Sequence, residues 1–148
     1  SLQRNIEQIP HDIINTSRGK CFYSTTQVCY NEGNDMWSVI ESEKIPFSPY
    51  PKGAANIKRI LEQKTVGSRR FTGFGLLEIP PNGVFPQHTH PDREEIYYVL
   101  SGSGAITVED KEIPATKGIA LYVSGESPHG LKNETDKSVL VLFVHTLV

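Results

Sequence analysis

Apolar and polar positions follow an alternating pattern from residue 69 to the carboxyl end of the sequence. In short runs every second side chain is apolar, and this period of two is typical of β-strands with one buried face. Glycine, proline, asparagine and serine separate the runs, as at 80–83 and 101–104. The pattern predicts an all-β sandwich or barrel of short antiparallel strands. The predicted strands are 71–79, 85–90, 95–100, 105–109, 112–113, 119–123, 130–132 and 139–147.

The segment before this alternating region has a different texture. It is irregular, rich in polar and turn-forming residues, and includes a proline-rich stretch at 46–51. Residues 56–63 fit either a strand or one helical turn, because their apolar positions satisfy both periods. We expect an N-terminal extension over 1–55, which packs on the barrel or on a dimer partner, and a barrel over 56–148. Short strands within the extension are predicted at 21–23, 28–30 and 36–40.

Composition and charge narrow the class of protein further. A chain of 148 residues with 12 glycines and 10 prolines fits one domain of strands and turns. The net charge of −2 and the scattered basic residues predict no nucleic-acid partner, and the lack of a long apolar run predicts no association with a membrane. Cys21 and Cys29 form no CxxC motif and fit the reduced thiols of a cytoplasmic protein.

Candidate metal ligands lie in a predicted strand–turn–strand segment that begins near residue 85. His88 and His90 are two residues apart in a strand, so their imidazoles project from the same face. After a Pro-Asp-Arg turn, the next strand can bring the Glu95 carboxylate beside them. Glu94 is the competing carboxylate, and it points to the opposite face of a regular strand.

A fourth candidate ligand, His129, lies far along the sequence, just before the predicted strand at 130–132. A closed antiparallel barrel can bring such a residue to a neighbouring inward face. Three imidazoles and one carboxylate suit a first-row transition metal better than calcium or magnesium, and they leave one or two coordination positions for water, oxygen or substrate. His145, in the last apolar strand, is predicted instead to be a core or dimer-interface residue.

Two longer motifs contain the candidate ligands. In the first, a His-x-His pair is followed by four residues, a glutamate, six residues and a glycine, and Gly83 precedes the pair. In the second, a glycine is followed by ten residues, a histidine, three residues and an asparagine. The matching positions are His88, His90, Glu95 and Gly102 in the first motif and Gly118, His129 and Asn133 in the second.

Both motifs resemble those of the cupins, and the resemblance covers about residues 57–147. Two departures concern turns: Gly83 lies one residue closer to His-x-His than usual, and Ser124 and Glu126 replace a proline and a glycine of the second motif. The resemblance implies a cupin jelly-roll barrel (a double-stranded β-helix) with an N-terminal extension of short strands and loops. It also implies one divalent metal ion held by His88, His90, Glu95 and His129.

The same resemblance implies a function. Cupins with this ligand set include dioxygenases, decarboxylases, lyases and isomerases, so we expect a metal-dependent enzyme that acts on a small molecule. Manganese, iron, nickel and zinc are all compatible with the ligands, and a homodimer is the expected assembly. The alternative is a non-catalytic module that binds a sugar or an organic acid through the metal.

Tyr97 and Tyr122 are the predicted catalytic side chains, as hydrogen-bond donors or proton carriers. The period of two places Tyr97 on the inward face that it shares with Glu95. The strand at 119–123 allows two arrangements, and the sequence does not choose between them. Its inward side chains are either Ile119, Leu121 and Val123 or Ala120 and Tyr122.

Overall fold

The computed structural model describes residues 40–148 and the backbone of residues 15–16 and 19–20. The strands predicted at 21–23 and 28–30, and nearly all of the one at 36–40, lie outside the described residues. A 3-10 helix, Ser42–Lys44, and one α-helical turn, α1 (Gln63–Val66), accompany the strands. The strands are β1 (Asn15–Thr16), β2 (Gly19–Lys20), β3 (Ser48–Pro49), β4 (Asn56–Glu62), β5 (Phe71–Ile79), β6 (Val84–His88), β7 (Arg93–Ser101), β8 (Ser103–Val108), β9 (Lys111–Thr116), β10 (Ala120–Ser124), β11 (His129–Lys132) and β12 (Val139–Leu147).

Two antiparallel sheets carry the core. The larger has the order β10-β7-β12-β5-β4-β3 and the smaller the order β6-β11-β8-β9. Side chains of both sheets form one buried cluster, with Tyr97, Val99 and Val141 from the larger sheet and Ile106 and Leu131 from the smaller. The all-β architecture expected from the alternating pattern, and the jelly-roll fold that the resemblance implies, are therefore confirmed. Among the described residues no helix is long and apolar enough to span a bilayer.

The segment at 56–63, for which the sequence allowed a strand or a helical turn, contains a strand and the start of a helical turn. It forms strand β4 as far as Glu62, and the helical turn α1 follows directly. Glu62 and Thr65 form a capping box, so side chains satisfy backbone N–H groups at the start of this turn. Gly67 ends it with a φ of 65°, a conformation that favours glycine.

The large sheet reaches into the segment that was predicted as an N-terminal extension. Strand β3 pairs with β4 at the edge of the sheet, and Tyr50 packs against the core. Residues 48–50 therefore contribute to the barrel. The packing of residues 1–39 on the barrel or on a dimer partner stays a prediction.

Asn133, the last residue of the second motif, ties three segments together directly after β11. Its side chain is buried, and Nδ2 donates to the carbonyl oxygens of Ile79 (2.9 Å), Pro80 (3.0 Å) and Lys137 (2.7 Å). Its Oδ1 accepts from the backbone N–H of Thr135 at 2.9 Å. The asparagine thus has a structural role in holding the turn between β11 and β12.

We expect Asn133→Ala to lower the free energy of unfolding by about 2–4 kcal/mol, because buried carbonyl oxygens lose their donor. Urea unfolding of the metal-free protein measures this loss. Thr135→Val is the matched control, since it removes a single hydroxyl from the same turn and should cost about 1 kcal/mol. An asparagine variant no less stable than the threonine variant would contradict this role.

Candidate metal centre

The four residues predicted as ligands come together between the two sheets. His88 ends β6 and pairs with His129, the first residue of β11, in the smaller sheet. Glu95 lies in β7 of the larger sheet. One ligand atom from each of His88, His90, Glu95 and His129 lies within 4.8 Å of all the others.

The loop after β6, which carries His90, is held in place by Gly125. The His90 N–H donates to the Gly125 carbonyl at 2.8 Å, and the Gly125 N–H donates to the Arg93 carbonyl at 3.1 Å. A Cβ atom at Gly125 would overlap both the His90 and the Arg93 carbonyl oxygens, so this close approach requires glycine. Gly125 stands between Ser124 and Glu126, and the loop is therefore closely packed despite the departures from the second motif at these two positions.

The tautomer of each ligand histidine is set by a main-chain carbonyl. Nδ1 lies 3.1 Å from the Pro86 oxygen in His88, 3.3 Å from the Arg93 oxygen in His90, and 2.7 Å from the Ser127 oxygen in His129. A carbonyl oxygen only accepts, so each Nδ1 carries the proton and donates. The Nε2 lone pairs are then free for a metal, which is the arrangement that outer hydrogen bonds give to metal-binding histidines.

Glu95 is the acidic centre of the cluster and is only 2% exposed. Its Oε2 lies 3.0 Å from His90 Nε2 and 2.9 Å from His129 Nε2. If both Nε2 atoms are unprotonated, two nitrogen lone pairs and a carboxylate oxygen face one another, and a cation between them relieves this repulsion. Without a cation, an Nε2 that carries a proton donates to Oε2 instead. The donors therefore fit a divalent metal ion on chemical grounds.

The ionisation of the site suits metal binding. Burial raises the pKa of the Glu95 carboxyl, but hydrogen bonds from His129, His145 and His90 outweigh it and hold this pKa well below its usual range. Burial lowers the pKa of His88 and so favours its neutral imidazole. The hydrogen bond with Glu95 raises the pKa of His90. Glu95 is thus ionised and His88 neutral at pH 7, the forms in which they ligate a metal.

Tyr97 lies beside the cluster, as the alternation predicted. It is fully buried, and its ring centroid lies 6.0 Å from that of His129. Burial, and then the charge of Glu95, raise the pKa of Tyr97 well above its usual value, so the hydroxyl keeps its proton. This hydroxyl has no hydrogen-bond partner in the described part of the chain. Tyr97 is therefore a buried, protonated donor beside the candidate metal ligands, with the Glu95 carboxylate as its nearby acceptor.

Tyr122, the other predicted catalytic residue, lies on the opposite face of the sheet. It is 60% exposed and donates to Glu94 Oε1 at 2.8 Å. Strand β10 pairs with β7 so that Tyr122 is opposite Ile96, whereas Leu121 is opposite the buried Tyr97. The structure therefore places Tyr122 outside the site, away from the position that a catalytic role would require, and Glu94 points outward as expected. The inward side chains of this segment are Ile119, Leu121 and Val123.

His145 belongs to the site, although the sequence indicated a core or interface residue. Its Nε2 lies 2.7 Å from Glu95 Oε1, the carboxylate oxygen that the ligand histidines do not contact. Strand β12 pairs with β7, and the register places His145 directly opposite Glu95. The period of two already grouped His145 with the buried Val141 and Phe143. The pairing of β12 with β7, which the sequence does not specify, decides what it contacts.

Aromatic rings surround the cluster and leave one side accessible. The Phe85 ring packs edge-on against His88 at 4.9 Å between centroids and also contacts Tyr50 at 4.6 Å. The His129 side chain is fully buried, whereas those of His90 and His145 are 13% and 21% exposed. His88 is also partly exposed, so a small molecule would reach the cluster from the side of these three histidines and not from that of His129.

Comparisons with known proteins find a family and curated relatives that this chain resembles. The model of the Cupin domain family matches residues 75–145. The chain is 25% identical over 109 residues to the oxalate-binding protein of Thermotoga maritima, which covers 72% of this chain and 89% of that protein. It is 26% identical over 110 residues to the tetracenomycin polyketide synthase protein TcmJ of Streptomyces glaucescens, which covers 72% of each.

Solved structures share the same fold. The crystal structure of a predicted oxalate decarboxylase from Thermotoga maritima has a TM-score of 0.67 at 22% identity, over 74% of this chain and 99% of that one. The polyketide cyclase RemF from Streptomyces resistomycificus has a TM-score of 0.63 at 23% identity, over 75% and 80% of the two chains. Motif, strand order and structural likeness agree with the family match, which makes residues 75–145 a domain of the cupin superfamily.

Proposed function

We propose that this protein is a metal-dependent enzyme that acts on a small molecule carrying a carboxylate or a pair of neighbouring oxygens. One observation carries the proposal: three histidine Nε2 lone pairs and the ionised Glu95 carboxylate converge, with each histidine tautomer set by a backbone carbonyl. This preorganised donor set is built for a cation.

His88, His90, Glu95 and His129 would hold the metal, and manganese, iron, nickel and zinc all accept such donors. Once bound, a metal ion with open positions supplies Lewis-acid polarisation of substrate oxygens, and a redox-active one also supplies oxygen chemistry. Four protein donors leave about two positions of an octahedral ion, which suits a ligand that binds through two oxygens. A small carboxylate or an enediol has this shape.

Tyr97 is the side chain proposed to act on the substrate beside the metal. Its hydroxyl stays protonated because burial and the nearby Glu95 carboxylate both raise its pKa. A neutral donor in a dry site can hydrogen-bond to a substrate oxygen and stabilise the negative charge that develops there. The rings of Tyr50 and Phe85 add apolar surface beside His88.

A non-catalytic binding module is the second candidate, because one relative is named as an oxalate-binding protein. Such a module would use the same ligands to anchor a small acid without converting it. The two candidates differ in turnover rather than in affinity, so binding data alone do not separate them.

The deciding experiment combines elemental analysis with a substrate panel. The purified protein, loaded in turn with manganese, iron, nickel and zinc, is incubated with oxalate, other small dicarboxylates and diketones, while product formation and binding heats are measured. Turnover that is lost with a chelator and restored by metal supports the enzyme. Stoichiometric binding without product over many hours favours the binding module, and a protein that cannot be loaded contradicts both.

Metal affinity is expected to rise with pH. Glu95 is already ionised and His88 neutral at neutral pH, whereas the raised pKa of His90 means that a metal must displace a proton from this residue as the pH falls. We expect the dissociation constant for Mn²⁺ to increase about tenfold for each unit below the His90 pKa and to level off above it. Calorimetric titration from pH 5.5 to 8 in buffers of different ionisation enthalpy counts the released protons. A flat profile would contradict the involvement of His90.

A further inference from the structure

The two oxygens of the Glu95 carboxylate have different partners. Oε2 faces His90 and His129, two of the candidate metal ligands, at 3.0 and 2.9 Å. Oε1 faces His145 Nε2 at 2.7 Å, the shortest of the three contacts. One oxygen therefore points into the proposed metal site and the other is bound outside it.

The residues around His145 leave room for its ring and pack against it. The imidazole packs against the Phe143 ring, with centroids 4.9 Å apart and an interplanar angle of 33°. On β5, Gly73 lies opposite His145, and a Cβ atom there would come within 3.2 Å of His145 Nδ1. Packing on Phe143 and the space over Gly73 thus hold the imidazole where Nε2 meets the carboxylate.

His145 differs from the ligand histidines in how its nitrogens are used. Those three histidines each bind a backbone carbonyl through Nδ1, and Nε2 is the nitrogen that remains for a metal. In the described part of the chain, the side-chain hydrogen bond of His145 is made through Nε2, and its acceptor is a carboxylate oxygen. Nε2 therefore carries the proton in His145, and this nitrogen is not free to ligate a metal.

We propose that His145 is a positioning residue that holds Glu95 by Oε1, so that the carboxylate offers only Oε2 to the metal. This inference rests on the proposed metal site. A carboxylate released from His145 can turn and bind through both oxygens, which would occupy a coordination position otherwise left for water or substrate. His145 thereby keeps the metal open for an exchangeable ligand.

The test uses Mn²⁺ alone as the probe and counts water molecules on the bound ion. Bound Mn²⁺ is measured by electron paramagnetic resonance, and exchangeable water by proton relaxation per bound ion. His145→Phe keeps a ring on Phe143 but loses the donor, whereas His145→Gln keeps a donor of similar reach. We expect both variants to bind one equivalent, with relaxation about twofold lower in the phenylalanine variant and near the wild-type value in the glutamine variant.

The outcomes separate this inference from the proposed function. Wild-type protein that binds no Mn²⁺ would refute both. Wild-type binding together with equal relaxation in wild type and His145→Phe would refute the positioning role alone. If the phenylalanine variant does not fold, His145→Asn replaces it, because its amide is too short to reach Oε1. Lower relaxation in the asparagine than in the glutamine variant supports the role, and equal values overturn it.

Discussion

Replacing His129 with alanine is expected to abolish stoichiometric metal binding. His129 is fully buried, its Nδ1 is bound by the Ser127 carbonyl at 2.7 Å, and its Nε2 lies 2.9 Å from Glu95 Oε2. Removal of an outer partner of a ligand already costs about 10- to 100-fold in metal affinity, so loss of a preorganised ligand should cost more than that. Elemental analysis should find about one equivalent of transition metal in the wild-type protein and almost none in His129→Ala.

Tyr122→Phe provides the control for this experiment. Tyr122 lies on the outer face and its hydroxyl donates to Glu94, so the variant should keep the metal content and any turnover of the wild-type protein. Full metal content in His129→Ala would place the ion elsewhere and remove the basis of the proposed function. Loss of turnover in Tyr122→Phe would mean that the outer face takes part in the reaction.

Much of the site could be predicted because it depends on local geometry. The period of two places Glu95 and Glu94 on opposite faces of a strand, whatever the rest of the fold does. The structure shows this division, with Glu95 buried among histidines and Glu94 bound to Tyr122. The period of two also predicted His88 and His90 on one face, but β6 ends at His88 and His90 lies in the loop held by Gly125. Periodicity alone could not identify His129 as a candidate ligand. The spacing of the second motif identified it.

The positions of Tyr122 and His145 were harder to predict, because they depend on contacts between strands that are distant in sequence. The alternation within 119–123 left open which set of side chains points inward. The pairing of β10 with β7 decides this, because it turns Leu121 inward and Tyr122 outward. His145 is 50 residues from Glu95, and its contact requires β12 to lie beside β7 in one exact register. A shift of one residue would move every side chain of β12 to the other face, and no local pattern fixes that choice.

Glu95→Gln is expected to weaken metal binding by more than about a hundredfold, because the uncharged amide removes the anionic donor of the cluster. Glu94→Gln is a closely matched control. It makes the same change in net charge and volume at the adjacent position, but Glu94 faces Tyr122 on the outside of the sheet. Its affinity for Mn²⁺ should stay within about twofold of the wild-type value. Equal losses in the two variants would show that general charge, and not the Glu95 donor, attracts the metal.

The same pair of variants also measures what the Glu95 carboxylate contributes to the stability of the metal-free protein. The pKa of Glu95 is held below the ordinary value of 4.5 in the folded state, so its ionised form contributes stability that is present above about pH 4.5 and lost as the pH falls further. Glu95→Gln should therefore be less stable than the wild type at pH 7, and the difference should shrink in acid. Urea unfolding at pH 7 and pH 3.5 measures it, with Glu94→Gln close to wild type at both. A difference that grows in acid would mean that Glu95 is protonated in the folded protein, and a protonated carboxyl would compete with the metal for the histidines.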